Sequence, residues 1–249
     1  MTAFVVPPYW SGADGPPRRG ARVLRPLATA LVRAMWDVRV YDRHHVPTGG
    51  PVILAANHTG FLDGPLVYAV AARPVHALIK REMFRGAVGS VLRKVGQISV
   101  DRSVVDAGAV KSMLAVLDRG DTLAIYPEGT RGAGDFAEIK SGVAYLGLCT
   151  GAPIVPVAIL GTRVPGRSVG SIPSVRSRLD VVFGPALSID PVPWPRRRHV
   201  VREHAMAVRT KLVEHLRHAC ALTGRSLPGP VASPELEPGP VVTREGEKS

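Results

Sequence analysis

Val52-Ile53-Leu54-Ala55-Ala56-Asn57-His58-Thr59-Gly60-Phe61-Leu62-Asp63-Gly64 is the stretch on which the fold turns. Its first five residues form an apolar run too short for a buried helix, and polar residues and Gly60 end it. Such a run reads as a strand covered on both faces, leading through a turn into a helix. Outward from it the same alternation continues to about Leu222. Further strands are predicted at Val75–Ile79, Gln97–Val100, Thr122–Tyr126, Ile154–Ile159 and Leu179–Phe183. Helices are predicted near Leu62–Ala72, Gly86–Lys94, Asp106–Arg119 and Gly142–Cys149, with a last one from about Arg197 to Leu222. Strands alternating with helices predict an α/β fold with a mostly parallel sheet flanked by helices, and an N-terminal amphipathic helix before it.

The chain divides into four parts. Residues 1–20 read as a flexible leader, because Pro7-Pro8, Gly12, Gly15 and Pro16-Pro17 break regular structure. Residues 21–41 read as an amphipathic helix. On a helical wheel Leu24, Leu27, Leu31, Met35 and Val38 share one face, Arg22, Arg25, Thr29 and Arg33 lie opposite, and Pro26 falls in the first turn. Two readings are open for this helix: packing of its apolar face on the domain, or burial of that face in a lipid interface with the arginines on phosphates. Residues 42–223 form the main domain. Residues 224–249, rich in Pro, Gly and Glu, read as a disordered tail.

Composition narrows the function classes. Of 249 residues 45% are apolar, enough for a substantial core, and Cys149 and Cys220 alone suggest neither a disulfide framework nor a metal cluster. The net charge of +12 attracts polyanions. Aromatics at 5% speak against a stacked-ring surface for single-stranded nucleic acid. No run approaches the roughly 18–20 apolar residues that span a bilayer, and no signal peptide is legible. A spanning protein is therefore not expected, and an interfacial one stays open.

His58 and Asp63 stand five residues apart. On a regular helix they would point about 140° from one another, but a strand end, a turn at Gly60 and a helix start can bring them together. A carboxylate there fixes one imidazole nitrogen and leaves the other as a general base. Read alone, the spacing also leaves a structural histidine open. A second loop, Tyr126-Pro127-Glu128-Gly129-Thr130-Arg131-Gly132, again follows a strand, and glycines beside an arginine suit an approach to an anion. Its alternative is a solvated turn with a local Glu128–Arg131 pair. In a parallel sheet both loops lie beyond the carboxyl ends of strands, where ligands gather. Gly96-Gln97-Ile98-Ser99-Val100-Asp101-Arg102 is a short strand ending in charges. Ala152-Pro153-Ile154-Val155-Pro156-Val157-Ala158 reads, from its prolines, as an irregular or edge strand. Lys80 closes the Val75–Ile79 run at the same rim.

Together, in order, these segments resemble the four blocks of the PlsC-like glycerolipid acyltransferases, the family of 1-acylglycerol-3-phosphate acyltransferases, over roughly Val38 to Phe183. Asn57–Asp63 matches the His-x4-Asp block and Tyr126–Arg131 the Pro-Glu-Gly-Thr-Arg block. Gly60 stands where many members carry serine, and Ser99 where an aromatic residue is common. The resemblance implies direct acyl transfer from acyl-CoA or acyl-carrier protein, a substrate and not a cofactor, to a lysophospholipid hydroxyl. It implies His58 as base and Asp63 as its partner. Lys80, Arg102, Glu128, Gly129, Thr130 and Arg131 would serve the acceptor phosphate. It implies no metal, no nucleic acid, and a peripheral place on an anionic membrane surface at the cytoplasmic face. The alternative is a non-catalytic lipid-binding protein that keeps the fold.

Two rival patterns weigh less. Gly166-Arg167-Ser168-Val169-Gly170 has the form of a nucleophile elbow, yet Pro165 and Pro173 deny it the strand and helix that the motif needs. His199, His204, His215 and His218 lack a completing carboxylate or cysteine set, and Arg196-Arg197-Arg198 reads as a solvated or lipid-facing charge run.

Overall fold

In the computed structural model, residues 15–101, 103–104 and 106–231 are described. Seven strands form one sheet: β1 (Asp37–Tyr41), β2 (Val52–Ala56), β3 (Val75–Lys80), β4 (Ile98–Val100), β5 (Thr122–Ile125), β6 (Ile154–Leu160) and β7 (Arg178–Phe183). Six α-helices accompany them: α1 (Arg19–Met35), α2 (Asp63–Val70), α3 (Gly86–Lys94), α4 (Ala107–Asp118), α5 (Gly142–Thr150) and α6 (Arg198–Thr223). The strand order is β1-β7-β6-β2-β5-β3-β4. All neighbours run parallel except β6 and β7.

The apolar runs are continuous because both sheet faces are covered. Ile53 and Ala55 of β2 point to a layer with Leu117 of α4, Leu146 of α5 and Leu212 of α6. Val52, Leu54 and Ala56, one residue out of phase, meet Leu66 and Val70 of α2 and Val32 of α1.

Four expectations need correction. Residues 37–41 are not helical: Asp37-Val38-Arg39-Val40-Tyr41 alternates in burial and pairs with β7 as an edge strand. β6 is not an edge strand but lies between β7 and β2. Pro156 is tolerated there because the β7 ladder ends at it: its carbonyl accepts from Gly184 N–H at 2.8 Å, and only one return bond is forgone. Pro26 sits in the second turn of α1, since the helix begins at Arg19. The segments expected as leader and tail join the domain at their inner ends. Arg18 grips Asp121 with two nitrogens at 2.6 and 2.8 Å, and Arg225 Nε reaches Asp180 at 3.1 Å. The remainder of both, residues 1–14 and 232–249, lies outside the described residues.

Of the two readings left open for α1, packing of the whole apolar face on the domain is not what forms: the helix docks through Ala21, Val32 and two polar side chains. Arg25 donates to the Ala71 carbonyl and Thr29 Oγ1 to that of Ala69 at 2.7 Å, while Ala21 and Val32 are buried. Carbonyls at the end of α2 lack intrahelical partners, and these two polar side chains satisfy them. The middle of the apolar stripe is left outward, with Leu27 69% and Leu31 58% exposed, and Val23 beside it is 72% exposed. Among the described residues no helix is long and apolar enough to cross a membrane.

Candidate active site

The parallel arrangement brings the carboxyl ends of β2, β5 and β6 to one rim. Just past β2, the Asn57 side chain continues the sheet: its Nδ2 donates to Ile159 O at 3.0 Å and its Oδ1 accepts from Ile159 N–H at 2.7 Å. That clip sets the direction of the next residue. His58 Nδ1 lies 2.8 Å from Asp63 Oδ2, and the carboxylate is fully buried at the first residue of α2. Oδ2 also accepts from the amides of Thr59 at 2.7 Å and Gly60 at 2.9 Å. A carboxylate oxygen so placed is an acceptor only, so the proton of the imidazole resides on Nδ1 and Nε2 presents a lone pair. The turn does not require a left-handed glycine. A Cβ at Gly60 would stand 3.2 Å from the Thr162 carbonyl, a tight contact that the loop after β6 would have to yield to by a few tenths of an ångström.

The loop after β5 closes over this turn. The Tyr126 ring stacks on His58 with centroids 4.2 Å apart. Its hydroxyl is buried without a hydrogen-bond partner among the described residues, and burial followed by the Asp63 charge pushes it well above the usual phenol range. Glu128 turns inward: Oε1 accepts the His58 amide at 2.8 Å, and burial raises its carboxyl to about 7 against the opposing hydrogen bond from that amide. Gly132 N–H donates to the His58 carbonyl at 2.9 Å. Gly129 has φ +76°, and a Cβ on it would meet Lys140 Cε at 2.5 Å. Arg131 is exposed at the rim, 5.8 Å above the Phe61 ring, with Nη1 3.5 Å from Val169 O. Thr130 is exposed beside it. Lys80, half-buried at the end of β3, pairs in register with Val100 of β4. Arg102 lies outside the described residues. Beside Tyr126 an apolar cavity of about 180 Å³ is lined by Leu78, Val100, Met113, Ile125, Val143 and Leu146.

The sequence reading missed Thr162 and Arg163, which follow β6. Thr162 Oγ1 donates to Asp63 Oδ1 and, at 3.0 Å, accepts from the Thr59 hydroxyl. Arg163 is buried, and its Nη2 donates to the carbonyls of Gly132 at 3.0 Å and Gly229 at 2.6 Å. Their signal was available: β6 runs parallel to β2, so its end reaches the same rim. The Gly166–Gly170 pattern sits in the irregular segment between β6 and β7, where no helix follows it and Ser168 is exposed. His215 is held by the Val182 carbonyl at 3.0 Å and His204 by that of Val200 at 2.9 Å, both on α6.

Residues 37–160 match the acyltransferase family. The chain belongs to the PlsC-like acyltransferases. Within that family it is 30% identical to the 1-acyl-sn-glycerol-3-phosphate acyltransferase of Bacillus subtilis over 127 residues, half of this chain and 63% of that relative. It is 33% identical to the enzyme of the same name from Borreliella burgdorferi, covering 50% of this chain and 51% of the relative. The lyso-ornithine lipid O-acyltransferase of Pseudomonas aeruginosa is 31% identical over 59% of this chain and 57% of its own length. The chain thus spans between half and two-thirds of these curated relatives. The acyltransferase fold is shared with the crystal structure of PlsC, the LPA acyltransferase of Thermotoga maritima, at a TM-score of 0.58, 21% identity and 79% coverage of each chain.

Proposed function

We propose that this acyltransferase moves a fatty acyl group from an acyl thioester, acyl-CoA or acyl-carrier protein, to the free hydroxyl of 1-acylglycerol-3-phosphate, giving phosphatidic acid for phospholipid synthesis. The observation that carries the reading is the Asp63–His58 pair. Its buried carboxylate holds one imidazole nitrogen at 2.8 Å, so that Nε2 is the basic one.

His58 Nε2 takes the proton of the acceptor hydroxyl as its oxygen attacks the thioester carbonyl. The tetrahedral oxyanion collapses, the carbon–sulfur bond breaks, and the imidazolium returns the proton to the leaving thiolate. Asp63 stabilises the imidazolium in between. The thioester is already activated, so neither a protein nucleophile nor a resident cofactor is required. Arg131, with Gly129, Thr130, Lys80 and Arg102, receives the acceptor phosphate. Glu128 supports that loop from inside, through the His58 amide. The apolar cavity beside Tyr126 receives the donor's acyl chain. On this reading the enzyme is peripheral at the cytoplasmic membrane face, with Val23, Leu27 and Leu31 of α1 in the headgroup region of an anionic surface.

Thiol release from acyl-CoA with 1-acylglycerol-3-phosphate tests it. Turnover should fall by about 10²–10⁴ in His58→Ala with the fold intact. A wild-type protein that binds lipid vesicles but releases no thiol with any lysolipid acceptor would instead be a lipid-binding relative that keeps the fold.

A further inference from the structure

Beyond Thr162 and Arg163 at its start, the segment between β6 and β7, residues 161–177, has no place in the chemistry above. It contains Arg163, Arg167 and Arg176 and no acidic residue. It is ordered by a succession of turns, with Arg167 N–H on Val164 O at 3.1 Å, Ser171 N–H on Ser168 O at 3.1 Å and Ser177 N–H on Ser174 O at 3.1 Å. Yet Val164, Ile172 and Val175 are half or more exposed, at 50%, 60% and 60%. Bonds to two neighbours fix where this apolar surface lies. Trp36 Nε1 donates to Pro173 O at 3.1 Å and Arg176 N–H to Met35 O at 2.7 Å, so the segment adjoins the C-terminal end of α1, one turn beyond the exposed Leu31. On its other side Arg131 meets Val169 O, beside Phe61, at the rim of the candidate site.

We propose that residues 164–176 are a second membrane contact. Val164, Ile172 and Val175 enter the headgroup region of an anionic bilayer, Arg167 and Arg176 meet lipid phosphates, and the surface of α1 is thereby continued to the mouth beside Arg131. The proposal rests on the reading of the acceptor as a membrane lipid. Exposed apolar side chains interleaved with cations and without acids fit an anionic interface. Acceptor lipid then reaches Arg131 without leaving the bilayer.

The test uses the full chain, with cosedimentation on vesicles of zwitterionic phospholipid containing about a third anionic phospholipid. The triple variant Val164→Ser/Ile172→Ser/Val175→Ser alters only exposed positions, and circular dichroism checks its fold. Vesicle partition should weaken about tenfold or more, and Arg167→Gln alone should weaken it about fivefold on anionic vesicles and little on neutral ones. Thiol release with acceptor embedded in vesicles should fall in parallel, while a short-chain acceptor dispersed below its micelle concentration is turned over as by wild type. Unchanged partition of the triple variant overturns the proposal. So does a loss seen only with acyl-carrier protein as donor, which would assign the segment to that acidic partner. Absence of thiol release in wild type would count against the acyltransferase reading and leave the partition result to stand by itself.

Discussion

The Glu128 carboxyl accepts the backbone N–H of His58 at 2.8 Å, so the loops after β5 and β2 are joined at the residue whose imidazole faces Asp63. Burial holds that carboxyl at about 7, well above its ordinary value. A carboxyl raised on folding stabilises the native state below its unfolded value, near 4.3. That contribution is lost as pH rises to about 7, because the unfolded chain ionises first. Wild type should therefore lose stability relative to Glu128→Gln between about pH 4.5 and 7, by on the order of 2 kcal/mol after allowance for partial exposure. Urea midpoints across that range provide the measurement. Parallel curves for the two proteins would show that the carboxyl does not titrate there.

Asp63 receives four hydrogen bonds, three of them on Oδ2. Asparagine keeps an oxygen for the imidazole and the two amides, and Thr162 can turn its hydroxyl to accept from the new amide. The turn survives but the charge facing an imidazolium is gone. Asp63→Asn should lower kcat by roughly 10²–10⁴ with KM little changed. A rise in KM at unchanged kcat in the thiol-release assay would place Asp63 in binding instead.

Much of this rim was legible because strand ends gather in a parallel sheet, so the His58–Asp63 turn and the 126–132 loop, each following an apolar run, could be placed at one rim. Three features were not. β1 was hidden because Val38 extends the helical stripe of Leu27, Leu31 and Met35, and only pairing with β7 makes Asp37–Tyr41 extended. The packed face of α1 follows from the unsatisfied carbonyls of Ala69 and Ala71, which a helical wheel does not contain. The end of β6 marks the rim position of Thr162, but its bond to Asp63 spans 99 residues and no local motif marks that role.

Thr162 also supplies the clearest structural test. Its buried hydroxyl serves both Asp63 and the Thr59 side chain. Thr162→Val keeps the shape and leaves two buried polar groups without their partner, at a cost of about 1–3 kcal/mol. Thr162→Ser should recover most of that loss. Denaturant midpoints read the stability, and kcat should fall for valine but not for serine. Equal midpoints for the three proteins would mean that Asp63 is held without this hydroxyl.

The cavity beside Tyr126 makes the last prediction, on chain length. Val100 is half-buried on the edge strand β4 and forms part of the cavity wall together with Met113 and Leu146. Phenylalanine suits a strand as well as valine does, so Val100→Phe should fold while its ring takes much of the 180 Å³. Each methylene denied burial costs about 0.8 kcal/mol. A donor long enough to need the blocked space should therefore lose kcat/KM by tenfold or more, whereas a short-chain donor should stay within about threefold of wild type. Thiol release across a series of acyl-CoA chain lengths checks this. A profile lowered equally at every length would mean that the substitution disturbs the His58–Tyr126 stack and that the acyl chain lies elsewhere.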